Sequence, residues 1–240
     1  MSDFFKFEDK SIDIPFYNEN PKLSLLDWLV LLAGLILFVG LLIVPIYIDG
    51  NLFSILLCLV LIIPVIYVTR GKLSLFFKKP KWGDLKLIFL CLMGYYIYTL
   101  AAVAVLTLNG IPTNANGILS ADMNLIFWIT VLIQLIGEEL FKILILIIIM
   151  AVVYHFTRNR KLSIYLGLVM VIISFGLIHY GAYGSILQIL LIQGIGSLFE
   201  MYAYIKTKNV VVTYILHVIT DAIPFIMVMI MKMYNIPIPT

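Results

Sequence analysis

The sequence predicts an all-α protein, a polytopic transmembrane helical bundle of about seven spans with its N-terminus in the cytoplasm. Three observations carry that prediction. Of the 240 residues, 63% are hydrophobic and 12% charged, whereas soluble domains average ~45–50% and ~25%. The apolar residues collect into seven runs, most of them near the ~20 residues that cross a hydrocarbon core of ~30 Å. The basic residues fall in alternate connections between those runs.

Taken in order, residues 1–24 form a polar tail of mixed charge, expected to be cytoplasmic and loosely ordered. The first run, 28–48, follows that tail without a small-residue cleavage site, so it reads as a retained span. The second, 52–68, follows after Asp49, Gly50 and Asn51 and makes a helical hairpin with the first. Runs 87–106, 125–154, 164–182, 186–205 and 210–230 complete the set. Residues 25–240 thus read as a single transmembrane domain.

Arg70, Lys72, Lys78, Lys79, Lys81 and Lys86 lie between the second and third runs. Arg158, Arg160 and Lys161 lie between the fourth and fifth, and Lys206 and Lys208 between the sixth and seventh. The connections 49–51, 107–124 and 183–185 contain no Lys or Arg. The positive-inside rule places the basic connections in the cytoplasm, and seven spans satisfy that parity. The net charge of +3 is therefore a topology signal directed at membrane lipids and argues against nucleic acid as a partner. Trp28, Trp82 and Trp128 fall near run ends, as interfacial anchors do. The mixed stretch Leu73–Trp82 is expected to lie along the cytoplasmic face. Cys58 and Cys91 sit in apolar runs, so no disulfide framework is expected.

Ionisable residues inside the runs are few, and such residues are functional by default because their burial in lipid is costly. They are Glu138, Glu139 and Lys142 in the fourth run, His179 in the fifth, Glu200 in the sixth, and His217 and Asp221 in the seventh. At 100° per residue, Glu138 and Lys142 share a helical face with Glu139 turned aside, and His217 shares a face with Asp221. A carboxylate, an imidazole and an imidazole–carboxylate pair on three helices suit hydrolysis. Glu138 is then the base that takes a proton from water, His179 holds that water, and His217, oriented by Asp221, donates to an oxyanion. The same four residues are also a reasonable zinc set, and both mechanisms remain open at this point. Glu200 lies near a run end and reads as structural or interfacial, and His155, at a run end beside a basic connection, reads as interfacial. Tyr95, Tyr96 and Tyr98 read as helix packing, and Gly194 and Gly196 as close helix contacts.

One difficulty is depth. Measured along ideal helices, Glu138 falls near mid-membrane, His179 nearer the outside and His217 nearer the inside, with offsets on the order of 10 Å. A shared site then requires tilt or longer helices.

Three segments resemble, in order, the signatures EExxxR, FxxxH and HxxxN/D of the CPBP intramembrane proteases. They are Glu138-Glu139-Leu140-Phe141, Phe175-Gly176-Leu177-Ile178-His179, and His217-Val218-Ile219-Thr220-Asp221 with Phe225 four residues on. That family comprises the CAAX prenyl endopeptidases and the bacterial Abi or bacteriocin-immunity proteins. The resemblance spans about 120–230 and is fairly specific because three short motifs occur in order, each inside an apolar run. It implies endopeptidase cleavage of membrane-associated, prenylated or bacteriocin-type substrates, most naturally in a bacterial cell membrane. It also implies that Glu138, His179, His217 and Asp221 are catalytic, with Glu139, Lys142, Phe175 and Phe225 supporting them. A metal-independent glutamate mechanism is expected, with zinc on those four catalytic residues as the other possibility. The family's arginine falls at Ile143, next to Lys142. This departure motivates the second reading, a catalytically silent scaffold or immunity protein. A proton-coupled transporter is a third, set against by the lack of a repeat between chain halves.

Overall fold

A computed structural model describes residues 11–44, 47–120, 122–234 and 236. It contains seven helices long and apolar enough to cross a membrane: α1 (Leu25–Ile43), α2 (Gly50–Val68), α3 (Trp82–Leu108), α4 (Leu125–Thr157), α5 (Arg160–Ile178), α6 (Ile186–Thr207) and α7 (Val210–Met233). No strand occurs among the described residues. The chain is an integral membrane protein, and its seven helices match the seven apolar runs. Exposed Ile36, Phe89, Leu100 and Met227 belong on outer surfaces that meet lipid, where burial inside protein is not required.

Local chemistry sets the helix ends. Ser24 and Asp27 form a capping box at the start of α1, and Arg70 donates to the same Asp27 carboxylate at 2.7 Å. Two tight turns share one design. α4 ends on Arg158 (φ 51°) and α6 on Lys208 (φ 46°), both left-handed, and the next residue in each, Asn159 or Asn209, caps the following helix through its side chain. Asparagine supplies the acceptor that an exposed first turn needs, so two residues suffice to reverse the chain.

The basic connections gather at one end of the bundle. Asn209 Oδ1 accepts from the Lys78 backbone N–H at 3.0 Å, and Val210 N–H donates to the Phe76 carbonyl at 2.8 Å. Leu73–Trp82 is therefore tied to the α6–α7 turn, with Phe76 fully buried, and does not simply lie along the membrane face. The tail also departs from expectation. Residues 1–10 lie outside the described residues, but 11–24 are docked at this same end. Ile14, Phe16 and Tyr17 are buried, Tyr17 accepts from Arg160 Nε at 3.1 Å, and Asp13 pairs with Arg160 at 3.3 Å. Apolar Ile14, Phe16 and Tyr17 interrupt the polar pattern, and burying them outweighs the ordering cost. The tail and the basic connections thus share one end, as seven spans require.

α4 is the hub, packing on α1, α2, α5 and α7, while α3 packs on α6 and α7. Small residues permit the closest approaches. A Cβ on Gly137 would meet the Leu57 carbonyl at 2.9 Å, and one on Gly194 would meet the Ile172 carbonyl at 2.5 Å. Gly194 and Gly196 are contact glycines as expected, the latter against Tyr95. With 33 residues, α4 is about 50 Å long at 1.5 Å per residue, far more than the ~30 Å core. Its midpoint is consequently no guide to membrane depth.

Candidate active site

Four helices bring the intramembrane ionisable groups to one cavity of about 290 Å³, whose walls include Glu138, His179, Glu200, His217 and Asp221. Between Glu138 and His179 the depth offset vanishes for a geometric reason. Counted from the turn joining α4 to α5, Glu138 and His179 lie equally far along antiparallel helices. The cavity also touches Asn116, Ile118 and Tyr183, so it lies toward the end of the bundle whose connections contain no Lys or Arg.

Glu138 is positioned from α4 itself. Gln134, one turn earlier, donates to Glu138 Oε1 at 2.8 Å, and Ser54 of α2 donates to Gln134 Oε1 at 2.7 Å. This leaves Glu138 Oε2, which lies 4.0 Å from His217 Nε2. Gln134 and Ser54 had no motif to mark them, although Gln134 is i–4 to Glu138 within an otherwise apolar run.

Glu139 takes the opposite side. Its Oε1 accepts from His217 Nδ1 at 2.7 Å and lies 2.5 Å from Lys142 Nζ. A carboxylate accepts only, so Nδ1 carries a hydrogen and Nε2 is left toward Glu138 and toward Asp221 Oδ2, 3.7 Å away. Glu139 is fully buried, which makes it the residue that fixes the His217 ring.

The placement of Lys142 corrects the helical-wheel reading, which put it on the face of Glu138. Its ammonium contacts Glu139 and Glu200 and sits over the Phe175 ring at 4.5 Å. Residues i+3 and i+4 are both neighbours on a helix, and the carboxylate of Glu200 draws the flexible lysine toward Glu139. Ile143, at the family's arginine position, is fully buried in the apolar core.

Of the two readings of Glu200, structural or interfacial, its burial agrees with the structural one. Glu200 is 4% exposed and bonded to Lys142. Before it, residues Ile189–Gly194 of α6 are π-helical. A π turn inserts a residue and rotates everything beyond it by about 100° relative to an ideal helix. A regular wheel drawn through this span therefore misplaces Glu200.

His179 ends α5, and a separate turn, Tyr180–Tyr183, follows it. Its Nδ1 lies 2.7 Å from the Phe175 carbonyl, and its ring meets Phe175 edge-on at 4.7 Å between centroids. A carbonyl accepts only, so Nδ1 is the donor, and in the neutral ring Nε2 is a free acceptor. Phe175 therefore touches His179, Lys142 and, at 6.2 Å, His217. Phe225 lines the same cavity and packs edge-on against Phe127 at 5.5 Å and Trp128 at 5.8 Å. Trp128 thus packs on a residue of the cavity wall. Tyr96 and Tyr98 bond to backbone carbonyls of α7 and α6, as helix packing requires, whereas Tyr95 also lines the cavity.

The four residues read as a zinc set do not bring their ligand atoms together as one close group. Among the described residues, the one group of three or more His, Cys, Asp or Glu whose ligand atoms lie within 4.8 Å of one another is Glu139, Glu200 and His217. Glu138, His179 and Asp221 are not in it. The Lys142 ammonium already bonds both carboxylates of that group, so those two acids are paired with a cation of the protein's own.

Three motifs facing one cavity agree with comparison of the chain to known families. Residues 120–223 match the family of Rce1-like type II CAAX prenyl endopeptidases. The matched stretch runs from just before α4 into α7 and contains the three motifs from Glu138 to Asp221, with Phe225 just beyond it. The family is a protease family, in keeping with the resemblance read from the motifs. No curated protein and no solved structure matches the chain significantly. α1, α2 and the whole of α3 lie outside the matched residues, yet α2 supplies Ser54 and α3 supplies Tyr95 to the site.

Proposed function

We propose that the protein is an intramembrane endopeptidase that uses Glu138 to activate water, without a metal, on membrane-associated substrates. Prenylated C-terminal peptides are the substrate class that the family description suggests. The observation that carries the reading is the division of the glutamate pair. Glu138 faces the cavity with only Gln134 bonded to it, while Glu139 and Lys142 are engaged behind His217.

In this mechanism Glu138 Oε2 removes a proton from water as its oxygen adds to the scissile carbonyl carbon. The carbonyl electrons move to oxygen, and a proton on His217 Nε2 stabilises that oxyanion in a site largely closed to water. Asp221 orients the imidazole from the cavity side and Glu139 from behind. His179 Nε2 accepts from the second hydrogen of the water and holds it for attack. On collapse the C–N bond breaks, and Glu138 returns its proton to the leaving amine.

The test is cleavage of a farnesylated CAAX-terminated peptide by purified protein in bilayers. Glu138→Gln keeps the shape and the Gln134 contact but removes the base, so cleavage should fall by at least about 10²-fold with the thermal unfolding midpoint retained. Unchanged cleavage would reject the assignment. The scaffold or immunity reading is supported instead if wild-type protein cleaves no membrane peptide and Glu138→Gln keeps the cellular phenotype.

A further inference from the structure

A second cavity, of about 690 Å³, lies between α3 and α6 and is larger than the candidate active site. Its walls are mainly apolar: Leu87, Leu90 and Cys91 face Ile195, Leu198 and Phe199. Lys86 and Lys206 line it as well. Both belong to the basic end of the bundle, since Lys206 lies on the last turn of α6 and Lys86 on the second turn of α3. At the other extreme it reaches Tyr98. From Lys86 to Tyr98 along α3 is about 18 Å at 1.5 Å per residue, close to the ~15 Å of one hydrocarbon leaflet.

Phe199 separates this groove from the active-site cavity. Its ring lies where a Cβ on Gly94 would be, 2.6 Å from Cε1, and it meets Tyr95 edge-on at 6.2 Å. Tyr95 lines the active-site cavity and not the groove. The groove is therefore a separate compartment that shares one wall with the catalytic one.

A slot one leaflet deep, apolar along its length and doubly cationic at its headgroup end, selects an amphiphile with an acyl chain and a negative head. We infer that the α3–α6 groove is a binding site for an anionic phospholipid of the leaflet at the basic end. Its phosphate sits between Lys86 and Lys206, and its chain runs along Leu90, Cys91 and Leu198. Charge complementarity decides the occupant. Two ammonium groups favour a net-anionic headgroup over a zwitterionic one, whose own cation offsets the gain, and an isoprenyl chain itself carries no anion at its end.

The experiment is native mass spectrometry of the full chain released from nanodiscs of phosphatidylcholine doped with phosphatidylglycerol, counting lipids retained. Wild type should retain phosphatidylglycerol in preference to phosphatidylcholine. A basic residue near an anionic lipid is worth about fivefold, so Lys86→Gln with Lys206→Gln should cut that preference more than tenfold. Lys72→Gln with Lys81→Gln, which lie outside the groove, should leave it intact. Leu198→Trp, which fills the slot, should lose the retained lipid, with an unchanged thermal unfolding midpoint showing that it folds. Equal loss from the two lysine pairs, or no loss from Lys86 and Lys206, overturns the site. Displacement of phosphatidylglycerol by a farnesylated peptide overturns the choice of occupant and assigns the groove to substrate. None of these readouts depends on peptide cleavage.

Discussion

Lys142 is paired with Glu139, one helical turn away, and not with Glu138. Glu139 of α4 and Glu200 of α6 hold the Lys142 ammonium from two sides, and Glu139 also accepts from His217. The cation moved from the family's arginine position thus lies behind the imidazole and leaves Glu138 facing the cavity.

Lys142→Met should be among the most damaging substitutions in the chain. It leaves the carboxylates of Glu139 and Glu200 buried with no cation, a loss of about 3–5 kcal/mol for a broken buried pair. Lys142→Arg should recover part of that stability, and Glu200→Gln combined with Lys142→Met more than Lys142→Met alone. Thermal unfolding in detergent measures all three.

Gln134 should matter through orientation alone. Without its N–H on Oε1, the Glu138 carboxylate rotates freely. Gln134→Ala is therefore expected to lower kcat about 10- to 100-fold with little change in KM. An equal effect on KM would place Gln134 in substrate binding.

Glycine contacts separate close packing from backbone freedom. Gly194→Ala places a methyl 2.5 Å from the Ile172 carbonyl, and such overpacking costs about 1–3 kcal/mol. Gly40→Ala has nothing within 4 Å and should stabilise α1 by about 0.5–1 kcal/mol, as alanine does over glycine in a helix. Unfolding midpoints should move in opposite directions.

Docking of residues 11–24 should be sensitive to alkali. Burial, then the neighbouring Asp13 carboxylate, push the Tyr17 phenol from its ordinary 10.0 up to about 12, against the Arg160 guanidinium. The folded state binds this proton more tightly than the unfolded one, so docking is complete below about pH 10. It is lost as pH rises toward about 12. Limited proteolysis of the tail across that range should follow Tyr17 ionisation, and Tyr17→Phe should remove the transition.

Cleavage should survive chelation. With the Lys142 ammonium on Glu139 and Glu200, the site has a cation without recruiting one. Activity in excess chelator should equal that in buffer, and metal analysis should show no stoichiometric ion. A chelator-sensitive rate restored by zinc would refute this.

Much of the architecture was legible in the residues alone. Apolar length set the seven helices, because lipid permits few other ways of satisfying the backbone. Glu138, His179, His217 and Asp221 were recognisable because ionisable groups are rare in such segments. They do line one cavity. What the sequence could not express was direction within a helix and depth between helices. Lys142 could lean to i–3 or i–4, and only Glu200 on another helix decides between them. Glu200 itself, near a run end, reads as structural or interfacial, and only the contact with Lys142 shows that it belongs to the buried ionic cluster. Gln134 and Ser54 acquire a role only when α2 lies against α4, and the tail docks because Arg160 and Tyr17 meet. Composition and spacing therefore determine which groups enter the membrane. Tertiary packing decides which of them meet, because pairing energies depend on distances of a few ångströms between residues far apart in the chain.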